Sequence, residues 1–280
     1  MKGLMIRAGI LRILCLGTLG CLILLMQNSL AAAGTPSGTG IWCSGENNYK
    51  LSSAHKKQLV NSLRRITGLP QLNFAEDGSL KFGDGAAANA GSSLAIEILL
   101  RSLGSGKAFI IEDHSGSPEI NFGQLDEGTD YEDVLSQRQF EIWRVRLDFQ
   151  DFSEMDAPTE VRASFDVGFT MLHELLHGLG YKDAENEVEI GECEDMINRA
   201  RAELGLPLRD QYFGEPLQLA PHIVTVRLRF RSEKKAQKET GEKTIGKRLH
   251  YLFFLLPSGK ESIQLQPQEG IPVFNYRPKR

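Results

Sequence analysis

Two histidines spaced for one helical face, with a glutamate beside the first, form the segment His173-Glu174-Leu175-Leu176-His177. On a helix, positions i and i+4 lie one turn apart on the same side, so both imidazoles can aim at one point. Neutral imidazole is the commonest side-chain metal ligand. Glu174 can lie beside that point and hold a water. Two histidines on an ion with a carboxylate alongside are the minimal equipment for metal-assisted hydrolysis. The ion polarises a carbonyl and acidifies a water, and the carboxylate takes the proton and passes it to the leaving amine. Gly178, Gly180 and the carboxylate Asp183 follow at fixed offsets.

These residues need a helix to carry them. Phe165, Phe169, Leu172, Leu175 and Leu176 recur at helical spacing. The pattern predicts one long helix that begins between Pro158 and Ser164 and is closed by Gly178 and Gly180. Further helices are expected over residues 55–67, 92–103 and 192–204. The last carries Met196, Ile197, Ala200 and Leu204 on one face, with Gly205 and Pro207 to end it. Residues 141–149 alternate, with Trp143, Val145, Leu147 and Phe149 opposite Arg144, Arg146 and Asp148, as a half-buried strand does. Short strands are expected over 71–74, 79–82, 108–112 and 119–122, and residues 124–134 read as an acidic loop. Asp126, Glu127, Asp130, Glu132 and Asp133 in that loop lack the spacing of an EF-hand.

The motif HExxHxxGxxD, spelled by His173, Glu174, His177, Gly180 and Asp183, resembles that of metzincin peptidases with aspartate as third ligand, as in the snapalysin-like secreted proteases. The resemblance implies a zincin-like α+β domain with a small mixed sheet and an active-site helix. It implies zinc held by His173, His177 and Asp183, Glu174 as general base, and a glycine turn that returns the third ligand to the metal. It also implies an edge strand above the site that holds substrate extended, for which 141–149 is the candidate. The specific motif covers about eleven residues. A metzincin has a methionine turn beneath the metal, and the only downstream methionine, Met196, falls in a helical pattern. The acidic run Glu185, Glu187, Glu189, Glu192 and Glu194 leaves open a gluzincin-like alternative in which one of these supplies the third ligand. Tyr181 and Tyr212 are candidates for stabilising an oxyanion. The run from Asn198 to Pro207 resembles the stretch after HExxH in some bacterial zincin-like domains.

The remainder of the chain bounds the setting. It has 280 residues, 41% hydrophobic and 24% charged, with a net charge of −4. That is globular composition, and it excludes collagen-like, coiled-coil and wholly disordered chains and gives no general affinity for nucleic acid. Residues 1–33 have the order of a secretory signal peptide. Lys2, Arg7 and Arg12 precede the apolar run Ile13–Met26, and Ala31-Ala32-Ala33 offers a cleavage site. The run is shorter than the roughly 20 residues that span a bilayer. Export is therefore expected, with a retained N-terminal anchor as the alternative and no stable membrane span after removal. Cys43 and Cys193 then remain, an even number in an oxidising compartment, and a disulfide between them is expected.

Residues 34–50 read as a flexible leader, 51–220 as the zincin-like domain, and 221–280 as a β-rich extension. Residues 34–220 carry 16 basic and 31 acidic side chains, whereas 221–280 carry 13 and 5. Such asymmetry suggests regions with different jobs or electrostatic docking. Val224 to Arg231 alternate as a strand, 232–247 read as a charged connection, and 248–256 as a second strand. The expected function is zinc-dependent hydrolysis of peptide bonds in a peptide or protein substrate. The alternative is a non-catalytic, metal-stabilised binding or envelope-associated protein on the same scaffold.

Overall fold

The computed structural model describes residues 38–83, 90–117, 122–133, 138–186, 189–220, 223–237 and 243–255. In chain order these form β1 (Gly40–Cys43), α1 (Ser53–Thr67), β2 (Asn73–Phe74), β3 (Leu80–Lys81), α2 (Ser93–Leu103), β4 (Ala108–Asp113), β5 (Gly123–Asp133), β6 (Arg138–Leu147), α3 (Phe149–Glu154), α4 (Thr159–Ser164), α5 (Val167–Gly178), α6 (Glu192–Glu203), β7 (Leu208–Arg209), β8 (Glu215–Ala220), β9 (Ile223–Gln237) and β10 (Lys243–Leu255). The chain is thus α+β with a mixed sheet, as expected. The proposed signal segment 1–33 lies outside the described residues.

The central sheet has the order β1-β4-β6-β5. β1, β4 and β6 run parallel, and β5 is antiparallel to β6. β4 is buried along Ala108–Glu112, which fits its nearly unbroken apolar sequence. Helices α1, α2 and α5 pack together, and α5 lies against β5 and β6. The shared core includes Leu59, Leu63, Ile98, Ile111, Val145, Leu172 and Leu176.

Several elements differ from the sequence expectation. The leader is partly a strand: β1 pairs with β4 and buries Ile41. The strand over 141–149 is β6, but it sits inside the sheet between β4 and β5, and Phe149 opens α3. The strands at the two ends of the order are β1 and β5, and β5 lies in the segment read as an acidic loop. Its charges do not prevent pairing, because strand edges and solvent-facing positions tolerate them; Asp126, for one, pairs with Arg146 of β6. Of the strand expected over 119–122, residues 119–121 lie outside the described residues, and Phe122 precedes β5.

The single long helix is two. Asp166 is extended between α4 and α5, and its Oδ1 accepts from the backbone N–H of Gly168 at 3.1 Å and of Phe169 at 3.2 Å. Its Oδ2 takes Ser62 Oγ at 2.6 Å and an Arg65 guanidinium nitrogen at 2.7 Å. A short acidic side chain satisfies the orphan N–H groups of a helix start better than it serves a helix interior.

The C-terminal segment forms a second sheet, β10-β9-β7, with β8 also on β9. Strands extend to Gln237 and resume at Lys243, so most of the expected charged connection is ladder. Leu228, Phe230, Leu252 and Phe254 join the same apolar cluster as Leu172 and Phe169. The basic segment is therefore packed into the main core.

Candidate metal centre

Helix α5 supplies His173, Glu174 and His177 from a nearly all-buried element. The chain then turns sharply. Leu179 and Gly180 N–H groups return to carbonyls of the last helical turn, and Tyr181 N–H reaches Leu176 O at 3.1 Å. Gly180 holds φ +95°, a left-handed value that suits glycine. Backbone N–H groups of Glu192 and Cys193, at the start of α6, both donate to Lys182 O, at 2.9 and 3.1 Å. The residue before Asp183 is thereby tied to α6.

The outcome is convergence on one point. His173 Nε2 lies 3.0 Å from Asp183 Oδ1, and His177 Nε2 lies 3.1 Å from Asp183 Oδ2. Ligands about 2 Å from a tetrahedral zinc stand roughly 3.3 Å from one another, so this spacing suits a small ion. Asp183 Oδ1 is buried and lacks a well-directed hydrogen-bond donor despite the nearby ring nitrogen. A buried acceptor left in that state between two imidazoles is the polarity that a cation satisfies. His173, His177, Asp183 and Cys193 each offer a ligand atom, all within 4.8 Å of one another, so the group can hold a metal ion.

The opposite ring nitrogens have other partners. His173 Nδ1 lies 3.5 Å from Glu194 Oε2, and His177 Nδ1 lies 3.1 Å from Tyr181 O. A carboxylate or carbonyl on the far nitrogen fixes tautomer and ring orientation in metal-binding histidines. Glu194 is itself buried and gripped by Arg201 and Arg209. Arg201, 1% exposed, also donates through Nε to Ser164 O at 2.7 Å, which fastens α6 to the end of α4.

Electrostatics follow from this packing. Burial disfavours the charged form of His173, yet the neighbouring Asp183 and Glu194 carboxylates raise its pKa to about 9. Burial likewise works against charged His177, and Asp183 more than compensates, so it too is raised. Burial works against the Asp183 carboxylate, but the two histidines hold it well below the usual range. Burial raises Glu174. Glu194 stays ionised against its burial because Arg201 and Arg209 lower it.

Of the sequence candidates, His173, Glu174, His177 and Asp183 meet. Among the alternatives, Glu185, Glu189 and Glu192 are exposed, Glu187 lies outside the described residues, and Glu194 reaches the far side of His173. Tyr212 donates its hydroxyl to Asp183 Oδ2, whereas the Tyr181 hydroxyl meets Arg101 at 2.9 Å. Met196 stays within α6. The bridge between Cys43 and Cys193 is not formed, and both thiols are free and buried. Cys43 ends β1, with its N–H on Gly78 O, while Cys193 opens α6 with its sulfur 3.5 Å from His177 Nδ1. Sequence reasoning missed Cys193 as a neighbour of the histidines, offered Glu194 as a ligand where the structure has it behind the far nitrogen of His173, and gave Arg201 and Arg209 no role. The adjacent pair Cys193-Glu194 at the head of a predicted helix was the available signal.

A cavity of about 190 Å³ opens beside Glu174 and Tyr212. Phe169 lines it from α5, and Val226, Leu228 and Phe254 line it from the C-terminal sheet. Strand β5 starts above it at Gly123, where a Cβ would fall 2.5 Å from Thr170 Cγ2 and 3.1 Å from Glu174 Oε1. Only a residue without a side chain lets the strand approach Glu174 so closely. Among the described residues no helix is long and apolar enough to cross a membrane. Comparison with protein-family models, curated proteins and solved structures finds no match to the chain.

Proposed function

We propose that the protein is an exported zinc-dependent peptidase of the zincin type. The observation that carries this reading is the convergence of His173 Nε2 and His177 Nε2 on the carboxylate of Asp183, with buried Glu174 alongside. His173, His177 and Asp183 would hold the ion, and zinc so held supplies Lewis acidity and an acidified water. Glu174 carries the proton at its carboxylate oxygens, first accepting it and then releasing it to the leaving nitrogen. Its burial raises its affinity for the proton it is to accept. Among the described residues β5 has no strand on its outer edge, which supports backbone pairing with an extended peptide. The cavity beside Glu174 is lined both by Phe169, Leu228 and Phe254 and by Glu194, Arg209 and Tyr212, so it suits a substrate side chain with an apolar body and a polar end.

The test is Glu174→Gln, which keeps the shape and removes the base. Zinc content should stay near one per chain, and peptidase activity should fall by at least about two orders of magnitude. Wild-type protein that holds zinc, cleaves nothing in a broad peptide library and matches Glu174→Gln would end the enzyme reading.

Cys193 favours a second reading, a metal-stabilised scaffold without catalysis. Four protein ligands close a zinc site, and catalytic sites keep one position open. Against it, the sulfur sits at Nδ1 of His177, while Nε2 is the nitrogen that faces Asp183. Cobalt substitution separates the two. A sulfur-to-cobalt charge-transfer band that vanishes in Cys193→Ser supports the closed scaffold, and its absence supports the open site.

A further inference from the structure

Away from the metal centre, β9 and β10 bring a serine, a histidine and a carboxylate into line. Ser232 Oγ lies 2.8 Å from His250 Nε2, and His250 Nδ1 lies 3.5 Å from Glu160 Oε1 on α4. His250 is 6% exposed, whereas Ser232 is half-buried. The nucleophile is therefore within reach of solvent, and the base is fixed beneath it. From these positions we infer a second hydrolytic site, in which Ser232 is a nucleophile toward carboxylic esters, His250 is its base and Glu160 orients His250.

The strand register explains how the three meet. Ser232 is paired with Arg248, and His250 with Phe230. Ser232 and His250 are thus diagonal neighbours on one face of the ribbon, within side-chain reach. That face continues the buried row Leu228 and Phe230, so His250 is held by the core while Ser232 is the next residue outward. Glu160 joins from α4, which packs on β10. A serine within hydrogen-bond distance of a base that is oriented by a third group is the general arrangement of an activated nucleophile, and the third contact is often loose before substrate binds.

Two features supply a place for negative charge on the reacting carbonyl oxygen. Arg248, exposed, lies directly across from Ser232 and on the same face. On its other side, β9 is covered by β8 over Ile223–Arg227 and by β7 at Phe230 and Arg231. From Ser232 onward that backbone edge has no strand partner among the described residues, so main-chain N–H groups there can face an oxyanion.

The chemistry balances without a further reagent. Ser232 Oγ bonds to the ester carbonyl carbon as its proton passes to His250 Nε2. The tetrahedral oxyanion collapses, the C–O bond to the alcohol breaks, and the alcohol leaves with the proton from His250. Water then attacks the acyl-serine, gives its proton to His250, and releases the carboxylic acid and free Ser232. None of these steps uses the metal centre, so this inference stands or falls apart from the peptidase reading.

The experiment uses the full chain and a fluorophosphonate probe, which phosphonylates an activated serine with loss of fluoride. Folded protein should take up label at Ser232, located by peptide mass, and heat-unfolded protein should not. Ser232→Ala should lose the label with an unchanged circular dichroism spectrum. Glu160→Gln, at a half-exposed position, should fold normally and label roughly tenfold more slowly. Absence of label in the folded chain, equal label in the unfolded chain, or label that persists in Ser232→Ala would each overturn the inference.

Discussion

Asp183 lies ten residues beyond His173 in sequence and 3.0 Å from it in space. Its role can be separated from that of the surrounding acids. His173→Ala and His177→Ala should each abolish tight zinc binding, and Asp183→Ala should weaken it strongly, while Glu185→Ala and Glu189→Ala should leave it unchanged. Equilibrium dialysis with a zinc indicator reads all five. Glu194 should behave differently from both groups. Partners that hold a ligand's far nitrogen are typically worth about 10–100-fold in metal affinity. Glu194→Gln should lower zinc affinity by that factor while keeping one site per chain. It should also destabilise the metal-free protein by about 3–5 kcal/mol, because Arg201 is left buried without its counter-ion.

At the scale of elements, α5 has to start at the correct residue for its histidines to face Asp183. Asp166 sets that start and also ties α5 to α1 through Ser62 and Arg65. Asp166→Ala should cost about 1–2 kcal/mol from the cap alone, which for a chain of this size lowers Tm by about 2–4 °C in a thermal melt. The turn after α5 depends on Gly180. A Cβ there would meet nothing within 4 Å, so Gly180→Ala is opposed by backbone strain and not by a clash. A left-handed alanine costs roughly 1–2 kcal/mol. Zinc affinity, read by the same dialysis, should fall correspondingly by about tenfold, since the turn presents the third ligand.

For the molecule as a whole, the C-terminal sheet is a wall of both the core and the cavity. A chain ending at Pro221 would expose the faces that Leu228, Phe230, Leu252 and Phe254 cover. Each such side chain is worth about 2–5 kcal/mol, and together they exceed the stability of an ordinary domain. The shortened chain should lack a cooperative thermal transition, and a folded, zinc-binding product would show that the segment is dispensable. Stability should also depend on acid in a definite direction. The carboxyl of Glu194 is lowered from 4.5 when folded. Its contribution is therefore fully present above pH 4.5 and is lost as pH falls through its folded value. Denaturant midpoints of metal-free protein should drop below pH 4.5, with a smaller drop in Glu194→Gln.

The sequence by itself determined what short-range spacing encodes. The i, i+4 histidines, the glutamate between them, the glycine turn and the C-terminal ends of α1 and α2 are set by neighbours within a few residues, and propensity and periodicity read them. It also placed Asp183 as a candidate without excluding the glutamates, since spacing alone allows any of them to return. The tertiary structure decided the long-range partners. Strand order placed β6 inside the sheet and β5 at one end of it, because a strand's alternation records which faces are buried and not which neighbours it pairs with. It parted Cys43 from a bridge and set Cys193 against His177, since an even number of thiols carries no information about distance. It buried Arg201 under Glu194, a pairing that composition would assign to the surface. And it folded a basic, separate-looking C-terminal segment into the core, because the apolar alternation of β9 and β10 marks a face that must be covered without naming what covers it.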